Sequence, residues 1–297
     1  MSGKNGDISF FKSLKNTHPI DLVNEIRSFP IKEYDLVITD FEPVSAWSAL
    51  LNRIPCIELS HQAAVIHPLA PKPEKRAAFG RYVLQHYVPS KQKYGFHFKA
   101  YDERVFTPVI RKEIRIAQAT DHGHYTVYLP GYHDDVLMHF LRQFPVKWEV
   151  FSKYAQFKYR VDNVHIEPIS QVRFQESLIH STGVFCGAGF ELPSEALFLG
   201  KKTMVIPMKG HYEQTCNALG AVQAGASSIA ELDLLYHRQI NYWLSQENQN
   251  PVYFPDQTEE VLIKLLTRFE RDGKAAYQAQ ESFDTLSQKL RLLRYFF

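Results

Sequence analysis

The stretch CGAGFELPSEALFLGKKTMVIPMKGHYEQTCNA, residues 186–218, decides how this chain is read. TGVFC (182–186) is an apolar β-type run, and Gly187-Ala188-Gly189 interrupts it before a helical pattern. Pro193 suits the first helical position, where its missing N–H has no role, and Gly200 suits the stop. TMVIP (203–207) is a second strand, and EQTCNALGAVQAG (213–225) a second helix. A helix that opens behind a strand presents unpaired N–H groups and a partial positive charge. Glycines before it let a phosphate approach the main chain with no Cβ in the way. A tight turn would use the same residues, so the motif alone leaves both readings open.

Glu195 is expected in the first turn of that helix, where the dipole favours a carboxylate in any protein. Beside a phosphate site, such an acid can also accept from both hydroxyls of a ribose. One strand later, Glu213, Gln214 and Asn217 fall at another strand-to-helix junction on the same sheet edge, with Gln214 and Asn217 sharing a helix face. Their side chains suit sugar hydroxyls, and they also suit a plain helix start. His211 precedes them and is placed to line the same site.

The pattern extends in both directions. YTVYLPG (125–131), WEVFS (148–152) and NVHIEPI (163–169) read as strands, with helical segments after the first and third. Together with 182–186 and 203–207 they predict five parallel strands in a doubly wound, Rossmann-like sheet. Upstream, YDLVITD (34–40), a helical run to Pro55 and CIELS (56–60) form a β-α-β unit, whose ligand-facing loops would be Asp40–Pro43 and Ser60–Gln62. FTPVIRKEIR (106–115) breaks the pattern and is the expected boundary. From about Tyr236 the chain reads as helical to its end.

Composition is that of an ordinary globular protein, with 45% hydrophobic and 22% charged residues and a net charge of +2, which implies no dominant polyanionic partner. The first residues lack the apolar core of a signal peptide, and no apolar run approaches the ~20 residues of a membrane span, so the cytoplasm is the expected location. Cys56, Cys186 and Cys216 are too far apart for a Cys-x-x-Cys unit and read as packing residues. Between Lys72 and Arg115, eleven basic residues face four acidic ones, interleaved with aromatics. That segment is either a solvated face over an aromatic core or a surface for an anionic membrane or acceptor. No recognition motif accompanies it that would argue for nucleic acid.

The run G-A-G-F…S-E-A-L…G-K…P-M…E-Q…N-A, specific over roughly 183–226, is similar to the donor-binding region of GT-B glycosyltransferases. The branch it most resembles contains UDP-glycosyltransferases and the enzyme that adds N-acetylglucosamine to lipid-linked peptidoglycan precursor. Looser similarity covers DFEPVSAW, IPCIELSHQ and most of the chain. The resemblance implies an α/β fold of two Rossmann-like domains facing a cleft. These would be an acceptor-side domain over 1–105, a donor domain over 106–280, and a helix over 281–297 returning to the first domain. It further implies that Gly187, Ala188 and Gly189 meet the diphosphate through backbone N–H groups. Glu195 would hold the ribose, Glu213 and Gln214 the sugar, and Asn217 the phosphate side or the packing beneath it. Pro168 and Ile169 would border the base, and Pro130-Gly131-Tyr132 would close over the phosphates.

One departure stands out. Enzymes of this kind open with a strand, a glycine-rich loop and a helix that supply a residue, often histidine, to the acceptor. MSGKNGDISFFKSLKN leads almost directly into YDLVITD, as if about 60 to 70 residues of that unit had no counterpart. A clipped product, a late start and a natural shortening into a non-catalytic partner would each account for it, and strand 34–40 of the incomplete N-terminal sheet would then expose an edge inclined to pair with another chain or copy. His61, in Ser60-His61-Gln62, is then the candidate acceptor-side base, against the plainer reading of a hydrogen-bonded loop residue. Asp121-His122-Gly123-His124 reads as a polar turn rather than a metal cluster.

The sequence thus points to a hexosyltransferase-type enzyme moving sugar from a nucleoside diphosphate donor, UDP above all, to an acceptor hydroxyl, with no cofactor and no catalytic metal. The acceptor would be lipid-linked or membrane-associated, which would put the protein at the inner membrane face. A nucleotide-sugar 2-epimerase of the same fold and a non-catalytic nucleotide-sugar-binding or scaffold subunit are the alternatives.

Overall fold

A computed structural model of the chain describes residues 19–74, 78–248 and 250–277, which form two sheets flanked by helices. The first sheet has four parallel strands in the order β1 (Val37–Thr39), β2 (Cys56–Leu59), β3 (Gln92–Phe96) and β4 (Val105–Phe106). Helix Pro43–Asn52 crosses from β1 to β2. It starts cleanly because the Glu42 carboxylate accepts from the N–H groups of Val44 at 2.7 Å and Ser45 at 2.8 Å, with Pro43 next in line.

The second sheet is ordered β11 (Ser227–Ser228), β10 (Lys202–Ile206), β9 (Gly183–Gly187), β5 (His124–Tyr128), β6 (Lys147–Ser152), β8 (Val164–Pro168) and β7 (Tyr159–Val161). Every pairing is parallel except β7 with β8. The five strands read from sequence are β5, β6, β8, β9 and β10. The short β7 and β11 carry no periodic signal and were not legible.

Alternation along the strands builds a core on each face. Phe185, Met204 and Ile206 join Trp148, Phe144 and Trp243 on one side. Val184, Cys186 and Val205 meet Leu178, Ala196 and Ala218 on the other. All three cysteines are buried and unpaired, as packing residues should be.

Helix Thr258–Tyr277 returns to the first sheet, where Val261 and Leu265 pack on Ile57, Tyr94 and Phe106. The helix expected over 281–297 and the opening residues 1–18 lie outside the described residues. Helix Tyr212–Gln223 of the second sheet reaches across to the first, and its Tyr212 and Cys216 share a cluster with Val65 and Leu84.

The basic, aromatic segment is largely structural. Tyr94, Phe98 and Phe106 are buried, and four of its cations turn toward the protein. Lys93 pairs with buried Glu58, Lys72 donates to the carbonyls of His67, Pro68 and Ala70, Arg111 pairs with Glu195, and Arg115 donates to the Phe254 carbonyl. Residues 121–123 form a tight bend, closed by the Gly123 N–H donating to Asp121 Oδ1 at 2.8 Å with Gly123 at φ 79°, and His124 already belongs to β5, where it is buried. Among the described residues no helix is long and apolar enough to cross a membrane.

Candidate functional site

The carboxyl ends of β9 and β10 face helix His61–Val65, which follows β2 of the first sheet, so residues distant in sequence converge here. The helix behind Gly187-Ala188-Gly189 spans Glu191–Phe198, two residues earlier than the proline suggested. Pro193 occupies its third position, and that costs nothing because every N–H of a first turn lacks an intrahelical partner. Gly200 ends it at φ 72°, with the Lys201 N–H donating to Ala196 O at 2.9 Å. Neither Gly187 nor Gly189 adopts a positive φ. A Cβ at Gly189 would meet no protein atom within 4 Å, and one at Gly187 would meet only Ile206 O at 4.0 Å. Neither packing nor backbone strain therefore explains these glycines, whereas the approach of a ligand to the main chain would.

The earlier helix start moves Glu195 from the first turn to the second, so the dipole does not account for it. Its carboxylate is buried and is gripped by the Arg111 guanidinium, Nε to Oε1 and Nη2 to Oε2, both 2.6 Å. That bidentate pair fixes the orientation of the carboxyl group. Arg111 went unseen because 84 residues separate it from Glu195 and no local spacing relates them.

The Glu213, Gln214 and Asn217 group divides by direction. Gln214 folds back onto its own loop, its Oε1 accepting from the Met208 N–H at 2.9 Å. His211 caps the helix, with Nδ1 accepting from the Gln214 N–H, and burial holds its ring below the usual histidine pKa. Glu213 faces the first sheet, where Gln62 Nε2 donates to it at 3.3 Å, and burial raises its pKa. Asn217, almost wholly buried, donates from Nδ2 to Ala188 O at 3.3 Å.

His61 is central to the contact. Its Nδ1 lies 2.8 Å from Phe96 O, its Nε2 lies 2.7 Å from Asn217 Oδ1, and its ring stacks on Phe190 at 3.8 Å and 11°. Burial lowers its pKa, and both hydrogen bonds oppose that shift. Both ring nitrogens are engaged, so the histidine turns no free lone pair toward an acceptor. His97 stacks behind it at 5.8 Å, fully buried and held at a pKa of about 3 by burial and then by the charge of His61.

The remaining expected residues sit further along the edge. Pro130 and Gly131 follow β5, and Tyr132 packs against the core cluster. Ile169 is half exposed beyond β8, three strands from β9, or about 14 Å at the usual spacing.

The sequence model described as glycosyl transferase family 1 matches residues 12–246. The chain belongs to that family. No curated protein matches its sequence. Among solved structures, the UDP-GlcNAc 2-epimerase of Methanocaldococcus jannaschii, in complex with UDP-GlcNAc and UDP, is similar with a TM-score of 0.53. The identity is 10%, over 88% of this chain and 82% of that one. The S. aureus MnaA–UDP co-structure is similar with a TM-score of 0.53 and 11% identity, over 89% and 83%. Acinetobacter baumannii MurG gives 0.43 and 15%, over 99% and 83%. The two Rossmann-like sheets of this family 1 chain are the GT-B arrangement.

Proposed function

We propose that this family 1 protein transfers a hexosyl group from a UDP-sugar to an acceptor hydroxyl. The observation that carries the reading is the glycine loop 187–189: it opens a helix, needs no glycine for its own packing, and stands beside an oriented carboxylate on one side and Glu213 on the other. In this reading the loop N–H groups and the helix start take the diphosphate and stabilise the charge that grows on it as the sugar leaves. Glu195, fixed by Arg111, accepts from the ribose hydroxyls. Glu213 accepts from hydroxyls of the sugar. Gln214 and His211 shape the loop beneath, Asn217 ties Ala188 in place, and Ile169 with Pro130 and Gly131 borders the nucleotide further along.

The acceptor and the cellular location rest on the sequence. A lipid-linked acceptor draws on the basic segment, and the four inward cations reduce the charge available for it.

Titration calorimetry with UDP and UDP-GlcNAc, followed by product analysis with and without added acceptor alcohols, tests the proposal. Acceptor-dependent release of UDP supports it. Release of UDP with an altered free sugar and no acceptor would make the protein an epimerase, and failure to bind either nucleotide would remove the donor site.

A further inference from the structure

Two side chains that the sequence offers to a ligand, Gln214 and His211, spend their hydrogen bonds on the chain itself. Gln214 Oε1 accepts from the Met208 N–H at 2.9 Å, and His211 caps the helix that follows. Between these anchors Met208-Lys209-Gly210-His211 closes as a β-turn, the His211 N–H donating to Met208 O at 3.1 Å. Gly210 stands third at φ 76°, as in a type II turn, and a Cβ there would meet no protein atom within 4 Å. Its glycine answers to the turn and not to packing. A turn held from both sides carries its second residue, Lys209, at a fixed point of the backbone.

That point stands beside the glycine loop. Ile206 pairs with Gly187 in the parallel register of β10 and β9, and its carbonyl accepts from the Ala188 N–H at 2.8 Å. Met208 opens the turn two residues later, at most about 7 Å of chain. Lys209 is exposed and, among the described residues, has neither a hydrogen bond nor an ion pair. Glu213, the nearest acid in sequence, meets Gln62 of the first sheet instead. The two lysines at the amino end of the same strand are buried and differ. Lys201 donates to Thr120 O at 2.6 Å and Ser181 O at 2.7 Å, and Lys202 to Leu244 O at 2.9 Å and Gln246 O at 2.8 Å. Only the lysine at the carboxyl end, the edge where α/β sheets take ligands, keeps its ammonium free of these three.

We propose that Lys209 is a catalytic residue of the donor site, its ammonium meeting the β-phosphate of the nucleotide-sugar. The assignment rests on the reading of loop 187–189 as the diphosphate site. That loop supplies N–H groups and a helix start but no full charge, and Arg111 is engaged by Glu195. As the bond from sugar C1 to the β-phosphate oxygen breaks, its electron pair stays on that oxygen, the acceptor oxygen bonds to C1, and the acceptor's proton leaves to water. The nucleotide gains one negative charge in the step. An ammonium already in position stabilises that charge, donating hydrogen bonds and transferring no proton. Lysine suits the task as a compact charge on a flexible four-carbon stem.

Calorimetry of the intact chain with uridine, UDP and UDP-GlcNAc at pH 8 tests this. Lys209→Gln should weaken UDP about tenfold, the lower end of what a hydrogen bond to a charged group contributes, and leave uridine unchanged. The loss should be smaller for UDP-GlcNAc, whose β-phosphate carries one charge fewer, and it should shrink as salt is raised. Lys209→Arg should recover most of the UDP affinity. Lys147→Gln, which removes a charge at the amino end of β6, should alter none of the three ligands. Equal UDP affinity in the wild type and Lys209→Gln overturns the proposal, and so does a matching loss for uridine, which would make the lysine structural. A wild type that fails to bind UDP would remove the donor site itself, whereas binding by the wild type with an unchanged variant removes Lys209 alone.

Discussion

Gly220 and His97 meet across the two sheets so closely that a Cβ on residue 220 would stand 2.5 Å from His97 Cε1 and 3.2 Å from Nε2. His97 is fully buried, and Gly220 sits inside helix Tyr212–Gln223, the element that carries Glu213 and Asn217. The fit of one ring into one notch therefore sets how closely the glycine loop approaches His61.

Gly220→Ala tests that fit, because helix propensity alone would make it stabilising by up to about 1 kcal/mol. We expect the opposite sign, a loss of about 1 to 3 kcal/mol from overpacking, read by chemical denaturation. His97→Ala should relieve the clash, so the double variant should be more stable than the sum of the two single changes. Strict additivity would mean that the helix shifts freely and that the notch does not set the spacing.

Arg111→Ala leaves the Glu195 carboxylate buried without its cation. A fully buried pair broken this way loses about 3 to 5 kcal/mol; with the guanidinium side 44% exposed, about 1 to 3 kcal/mol is expected here. Glu195→Gln should fold, yet it should bind UDP more weakly by about 1.5 to 3 kcal/mol, the worth of a hydrogen bond to a charged group. Unchanged calorimetric affinity in a folded Glu195→Gln protein would remove this residue from the nucleotide site.

Glu213 and Gln214 are neighbours with different expected phenotypes. Glu213→Gln should weaken UDP-GlcNAc and leave UDP nearly untouched, since its contacts lie beyond the phosphates. Gln214→Ala frees the Met208 N–H and loosens the loop, so it should weaken both ligands alike. Calorimetry with the two ligands separates these outcomes, and identical profiles for the two variants would make both residues structural.

Acid stability should depend on His97. Its folded pKa of about 3 lies below the ordinary 6.5, so the unfolded chain binds a proton that the folded chain refuses. The stability of the neutral form is complete above about pH 6.5 and is lost progressively as pH falls toward 3. His61, His124 and His211 are shifted in the same direction and add to the loss. His97→Phe should flatten part of the decline between pH 6.5 and 4.5, measured as denaturation midpoint against pH. An unchanged slope would show that the ring gains a partner or water when it is protonated.

The sequence by itself determined the architecture and the outline of the site. Alternating apolar runs, glycine stops and helical periodicity are local signals, and they located five strands of the second sheet, the β-α-β unit of the first and the glycine loop before Glu191. Tertiary structure decided what the candidate site residues touch. The partner of Glu195 is 84 residues away, His61 meets Asn217 across 156, and Gln62 meets Glu213 across 151. No periodicity links such positions, because the contacts exist only once the helices and loops of two separately built sheets are packed together. The same placement turned Gln214 and Tyr132 inward and closed both nitrogens of His61. Residue type announced that these side chains could bind or catalyse; packing decided which partner each of them meets.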